Sequence, residues 1–131
     1  FQDAVIGADT YDLISIARDA YVQWNPERVY TWFKLFYDGL PETQKQDRDF
    51  QQFKKDADLM AIQRHLKILG IFVRLFERDG KAGYLKVLPR VMWYLRQESK
   101  SYPELAAFMQ FIEDVVMPKF TLKYGVYEVV A

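Results

Sequence analysis

Few side chains in this sequence are arranged to do chemistry, and those that are form carboxylate and cation pairs, with no nucleophile beside a base. His65 is the single histidine and there is no cysteine. That excludes disulfides, thiolate metal sites and a His pair at ligand spacing, and no Gly-rich phosphate loop is present either. His65 stands between Arg64 and Leu66, one position off the apolar stripe of its helix, and reads as a hydrogen-bonded structural histidine. Asp47, Asp49, Asp56 and Asp58 look like a metal cluster only in spacing. Arg48, Lys54 and Lys55 are interleaved with them, so they read as a solvated face. Arg64 and Lys67 sit at i and i+3 and share a helix face. A cationic pair there would suit a carboxylate, while a surface ion pair is the ordinary reading. Asp12 lies at a helix start, where the dipole favours negative charge.

The elements that must position these groups read as helix almost throughout. Leu13, Ile16, Ala17, Ala20 and Trp24 fall on one face of a first helix, with Asp9 or Thr10 able to cap it. Asn25-Pro26 starts a second helix that carries Val29, Trp32, Phe33 and Phe36 inward and ends at Gly39. Residues 41–49 are the most polar stretch and predict a mobile connection. Leu59, Ile62, Leu66, Leu69, Val73 and Phe76 then alternate spacings of three and four. Met60, Ile68, Phe72 and Leu75 widen that stripe, which predicts the central, most buried helix, ending at Arg78-Asp79-Gly80. A fourth helical region covers Tyr84 to Lys100, with Pro89 at a fresh start and Leu88, Val91, Met92 and Leu95 inward. The fifth starts at Ser101-Tyr102-Pro103-Glu104, carries Leu105, Phe108, Ile112 and Val115, and is stopped by Pro118. Thr121 to Ala131 reads as extended. The fold class is all-α: a single domain over residues 1–131, a bundle of about five helices with short extended ends.

Composition narrows the function classes. The chain has 131 residues, enough for one domain with a sizeable core. Eighteen basic residues cancel eighteen acidic ones, so there is no electrostatic footprint for nucleic acid or an anionic membrane. No apolar run is long enough to span a bilayer. The lack of cysteine favours a cytoplasmic location.

A family resemblance adds to this reading. Phe1-Gln2-Asp3-Ala4, Thr10-Tyr11-Asp12-Leu13, Arg18-Asp19-Ala20-Tyr21 and the run Gln63 to Phe72 carry it. Arg78-Asp79-Gly80-Lys81, Tyr84-Leu85, Leu88-Pro89-Arg90 and Tyr102-Pro103-Glu104-Leu105 extend it over nearly the whole chain. In order and spacing these stretches resemble aminoglycoside phosphotransferase-like, kinase-fold proteins. They are most similar to the bacterial cell-wall-recycling kinases that phosphorylate the anomeric hydroxyl of N-acetylmuramate and N-acetylglucosamine. The resemblance implies the C-terminal helical part of such a kinase C-lobe, with ATP and Mg2+ as the parent's cofactors and an amino sugar as its substrate. It places the catalytic base and the metal aspartate before Phe1, so no catalysis is expected from this chain alone.

The resemblance also suggests roles for particular residues. Asp12 would support the catalytic loop, beside its plainer role at the helix start, and Asp3 would lie near the metals or simply end a turn. Asp19 and Tyr21 would face the substrate pocket. Arg64 and Lys67 would meet the lactyl carboxylate of muramic acid. An apolar patch including Val5, Ile6, Tyr11 and Leu13 would be left uncovered and favour self-association. Two other readings remain: a non-enzymatic helical interaction module, and a kinase homologue acting on aminoglycosides or choline-like substrates.

Overall fold

The computed structural model describes residues 7–129, and among these every regular element is helical. Asp3, Val5 and Ile6, with the N-terminal extended stub, lie outside the described residues. α1 (Thr10–Ala17) is shorter than its apolar pattern predicts. Arg18 leaves helical geometry at φ −129°, so Ala20 and Trp24 belong to the loop that follows. The inward row is Thr10, Ile14 and Ala17, at spacings of four and three, and Ile16 is 71% exposed. The predicted face is therefore rotated, because the chain turns Arg18 into the core. Asp9 precedes α1 but does not cap it with its side chain. Its carboxylate accepts from Arg48 instead, at 2.8 Å.

α2 (Pro26–Asp38) starts and stops as its residues dictate. Asn25 accepts from the Glu27 N–H at 2.8 Å, Pro26 occupies the first turn, and the Gly39 N–H returns to the Leu35 carbonyl. Val29 and Phe33 are buried, with Trp32 and Phe36 packed against them. The polar connection contains a helical turn, α3 (Glu42–Lys45), followed by Gln46 and Asp47 at positive φ. Arg48 then ties it down, donating to Asp9, Asp56 and the carbonyls of Gln44 and Lys45.

α4 (Phe50–Asp79) spans 30 residues, about 45 Å at the helical rise. Asp49 caps it by accepting from the Gln52 N–H. At its far end Gly80 adopts φ 68°, which lets the N–H groups of Gly80 and Lys81 return to the carbonyls of Phe76 and Leu75. Its buried positions are Phe53, Ala57, Asp58, Ala61, Ile62 and His65. The predicted stripe is thus corrected: Leu59 and Leu66 are exposed, and the buried positions run from Phe53 only as far as His65, about halfway along the helix. α4 is still the central element, touching α1, α2 and α5 (Leu88–Ser99). A 3-10 turn, Ala82–Val87, leads into α5, where Pro89 sits in the first turn and Leu88, Val91, Met92 and Leu95 are buried as predicted.

The C-terminal helix departs from expectation at Pro118. A 3-10 turn, Pro103–Leu105, opens into α6 (Ala106–Phe111), a π-helical stretch, Ile112–Val116, and α7 (Met117–Tyr124). Proline lacks an N–H and crowds the carbonyl four residues back. The π stretch widens the turn just before it and lets the helix continue. Thr121 to Tyr124 is therefore helical, and non-helical chain begins at Gly125. Val115, predicted inward, is 46% exposed.

Two apolar clusters meet along α4. Ile14, Ala17, Val29, Phe33, Phe53, Ala57 and Ala61 form the first. Ile62, Leu88, Met92, Leu95, Ile112 and Phe120 form the second.

Candidate functional site

At the seam between these clusters, α4 presents two polar residues inward, Asp58 and His65. They are seven positions apart, about two helical turns, and so lie on one face. Both are fully buried. Asp58 is the correction to the solvated acidic face: its Oδ1 accepts from Arg18 Nη1 at 2.5 Å, and its Oδ2 accepts from the Tyr102 hydroxyl. Arg18 Nη2 donates to the Tyr30 hydroxyl at 3.1 Å, and its guanidinium lies 5.1 Å from the Phe33 ring centre. His65 has the structural, hydrogen-bonded character predicted for it. Its Nδ1 is 3.0 Å from Glu98 Oε2 of α5, its Nε2 is 3.1 Å from the Arg18 carbonyl, and its ring stacks on Tyr94 at 5.1 Å.

These contacts fix the proton count. The Arg18 carbonyl can only accept, so His65 Nε2 carries a hydrogen. Nδ1 and the Glu98 carboxylate then share one further proton, and whichever holds it, that pair sums to zero. Arg18 and Asp58 also cancel, so the network is neutral. Burial pushes the Glu98 carboxyl up, against the pull of His65 and Arg18. Burial alone would lower the Arg18 guanidinium, but Glu98 and Asp58 outweigh it and hold it above its ordinary value. Burial raises the Tyr102 phenol, and its hydrogen bond to Asp58 raises it further. The cluster has the groups to hold a proton and to lock α1, α2, α4 and α5 together. It contains no nucleophile.

The residues singled out in sequence fall at two ends of α1. Tyr11 in its first turn accepts from Arg64 Nη1 at 2.9 Å, with the guanidinium 5.3 Å from the ring centre. Arg64, Lys67 and Tyr11 line a cleft of about 270 Å³ with Gln63, Ile68 and Ile71. The cationic pair is thus brought to one concave surface. Asp12 is exposed in the same first turn, where its carbonyl accepts from the Ser15 hydroxyl. Asp19 and Tyr21 lie beyond the other end of this eight-residue helix, which is about 12 Å long. Asp19 Oδ1 accepts from the Tyr21 N–H at 2.7 Å and so shapes a turn, and Tyr21 is 54% exposed. Asp19 and Tyr21 thus lie at the opposite end of α1 from the Arg64–Lys67 cleft.

Sequence reasoning missed Arg18, Tyr30, Asp58, Glu98 and Tyr102 as a unit. One local signal was available: Asp58 shares its helix face with Ala61, Ile62 and His65, which is a core address for a carboxylate. Nothing local announced its partners, Arg18 and Tyr102, which lie 40 and 44 residues away in sequence.

Comparison with known proteins gives a consistent set of relatives. The chain is 40% identical over 121 residues to an N-acetylmuramate/N-acetylglucosamine kinase of Neisseria meningitidis, covering 88% of this chain and 35% of that protein. It is 38% identical over 120 residues to the kinase of that name in Pseudomonas putida, covering 88% and 34%. For the one in Pseudomonas aeruginosa the identity is 41% over 111 residues, covering 81% and 32%. The chain thus spans about a third of the length of the curated relatives it matches. No family model matches it, and no solved structure does.

Proposed function

We propose that this chain is the C-terminal helical part of an ATP- and Mg2+-dependent kinase of the aminoglycoside phosphotransferase-like fold. Its substrate would be the anomeric hydroxyl of N-acetylglucosamine or N-acetylmuramate. The observation that carries the reading is the alignment of most of the chain, at about two residues in five, with proteins that bear that kinase name. The charge cluster supports it in a limited way. A helical layer locked by a neutral buried network is a rigid base on which a phosphotransfer site could be positioned. The Arg64–Lys67 cleft has the charge for the carboxylate that distinguishes muramic acid from glucosamine.

Among the described residues no group of three or more His, Asp or Glu side chains is placed to hold a metal ion. Asp12 keeps the role of supporting the catalytic loop from the first turn of α1. The 131 residues by themselves should leave either sugar unphosphorylated.

The test is the reading frame that contains this chain. Its product, incubated with Mg-ATP and either sugar, should form a sugar 1-phosphate. A frame without an aspartate-ending strand directly before Phe1, or a product that phosphorylates neither sugar, would overturn the proposal.

A further inference from the structure

The last described segment, residues 125–129, is held to the rest of the molecule by one side chain. α7 ends at Tyr124, and the chain turns away at Gly125, whose φ of 86° and ψ of −171° suit only glycine. Beyond it Val126 and Val129 are 70% and 54% exposed, and Glu128 is exposed between them. Tyr127 alone in this segment is partly buried. Its hydroxyl donates to Gln23 Oε1 at 2.6 Å and accepts from Arg90 Nε at 3.3 Å. Its ring centre lies 5.6 Å from that of Trp93 and 5.3 Å from the Arg90 guanidinium.

The groups that receive Tyr127 stand apart from the core. Trp93 belongs to neither apolar cluster, and Gln23 and Arg90 are polar. They belong instead to the holding of the loop after α1. His65 Nε2 meets the Arg18 carbonyl at 3.1 Å, Arg90 Nη1 donates to the Ala20 carbonyl at 3.2 Å, and the Tyr94 hydroxyl donates to the Val22 carbonyl at 2.8 Å. Alternate carbonyls of the loop are thus tied to α4 and α5. Tyr127 adds a tie at Gln23 and steadies Arg90, joining positions 104 residues apart. Two hydrogen bonds, a ring contact and a cation–π contact each contribute modestly once hydration is counted. The helices are fixed by whole buried clusters. A segment held so lightly opens at a lower free energy than the helices unfold.

We infer that residues 125–129 form a detachable strap. Tyr127 closes it over Gln23, Arg90 and Trp93, Gly125 is its hinge, and its opening loosens the loop after α1 at Gln23 while the helices stay packed. The strap belongs to the 131-residue chain whether or not the kinase reading stands.

The 15N-labelled chain has three tryptophans and so three indole N–H signals, and Trp93→Phe identifies the one beside Tyr127. Tyr127→Ala marks where that signal falls with the strap open. In the unaltered chain, urea should drive the signal to the open position at concentrations below the midpoint seen by far-UV circular dichroism. Tyr127→Phe keeps the ring and removes both hydrogen bonds, so the ratio of closed to open strap should fall about fivefold with the dichroism midpoint unmoved. Gly125→Ala touches none of the partners, and a methyl group there meets open space. It acts only by disfavouring φ 86°, and should lower the same ratio at least about fivefold. Leu122→Ala, 90% exposed on α7, should leave both transitions in place. Indole and dichroism transitions that coincide in the unaltered chain overturn the strap. So does a Trp93 signal that Tyr127→Ala leaves unmoved, or a Gly125→Ala variant as closed as the unaltered chain.

Discussion

Arg18 and Arg48 both follow a short helix, and both join that helix's surroundings to α4, but their settings are opposite. Arg18 is 5% exposed and its ion-pair partners, Asp58 and Glu98, are buried with it. Arg48 binds Asp9 and Asp56, whose side chains keep 30% and 35% of their exposure. In water-poor surroundings two charges attract strongly but have also lost their hydration, so the pair is needed mainly because neither member can be left alone. Near the surface, solvent screens the pair and refills whichever site is vacated. The same chemical contact therefore acts as an obligation at Arg18 and as a modest clasp at Arg48.

Removing one buried partner should break that contrast most visibly. Asp58→Ala leaves the Arg18 guanidinium and the Tyr102 hydroxyl unpaired, and should cost about 3–5 kcal/mol in urea unfolding. Replacing Arg18 and Asp58 together by Met and Leu should cost less than Asp58→Ala alone. A double variant as unstable as the sum of the two single ones would mean that the charges are not coupled.

Alkali should act on the same region. Burial raises the Tyr94 phenol from 10.0 to about 12, so the folded chain keeps a proton that the unfolded chain gives up. The stability tied to that proton is complete below pH 10 and is lost as pH climbs through 12. From Tyr94 the loss should be about 2–3 kcal/mol, and Tyr94→Phe should make the profile shallower by that share, leaving the part that comes from the raised Tyr102 and Tyr30 phenols. A denaturant midpoint that does not move between pH 9 and 12 would contradict the burial of this hydroxyl.

Arg48→Ala should cost about 1 kcal/mol, the combined loss of two partly exposed ion pairs and the hydrogen bonds to Gln44 and Lys45, and raised salt should shrink that cost. Leu66→Ala closes the series. Its side chain is 42% exposed, so the change should be below about 1 kcal/mol, where a fully buried leucine such as Leu95 should cost about 2–5. Thermal or urea unfolding of the two variants side by side decides it.

Leu66 also shows how far periodicity carries. Spacings of three and four along α4 predicted a long central helix, and that helix is there. The stripe could not say how much of it would be covered, because coverage depends on which helices arrive. α1 and α2 bury Phe53, Ala57 and Ala61, while beyond His65 the partners leave Leu66 and Ile71 in solvent. Pro118 teaches the complementary point. Its local rule, ending a helix, was overridden by a π stretch that could form where Ile112 and Phe120 anchor both sides in the second cluster.

What the sequence by itself determined is local. Asn25-Pro26, Gly39, Asp49, Gly80 and Pro89 set helix limits because capping and backbone freedom act within one turn, and the 3.6-residue period sets the helical class. Only the tertiary structure decided that Asp58, Arg18, Tyr102, His65 and Glu98 would meet, and that Arg64 and Lys67 would share a cleft with Tyr11 while Asp19 and Tyr21 lie elsewhere. A buried charge is stable only with its partner in place. That partner stands tens of residues away, beyond the reach of any local pattern, until the helices pack and bring the two together.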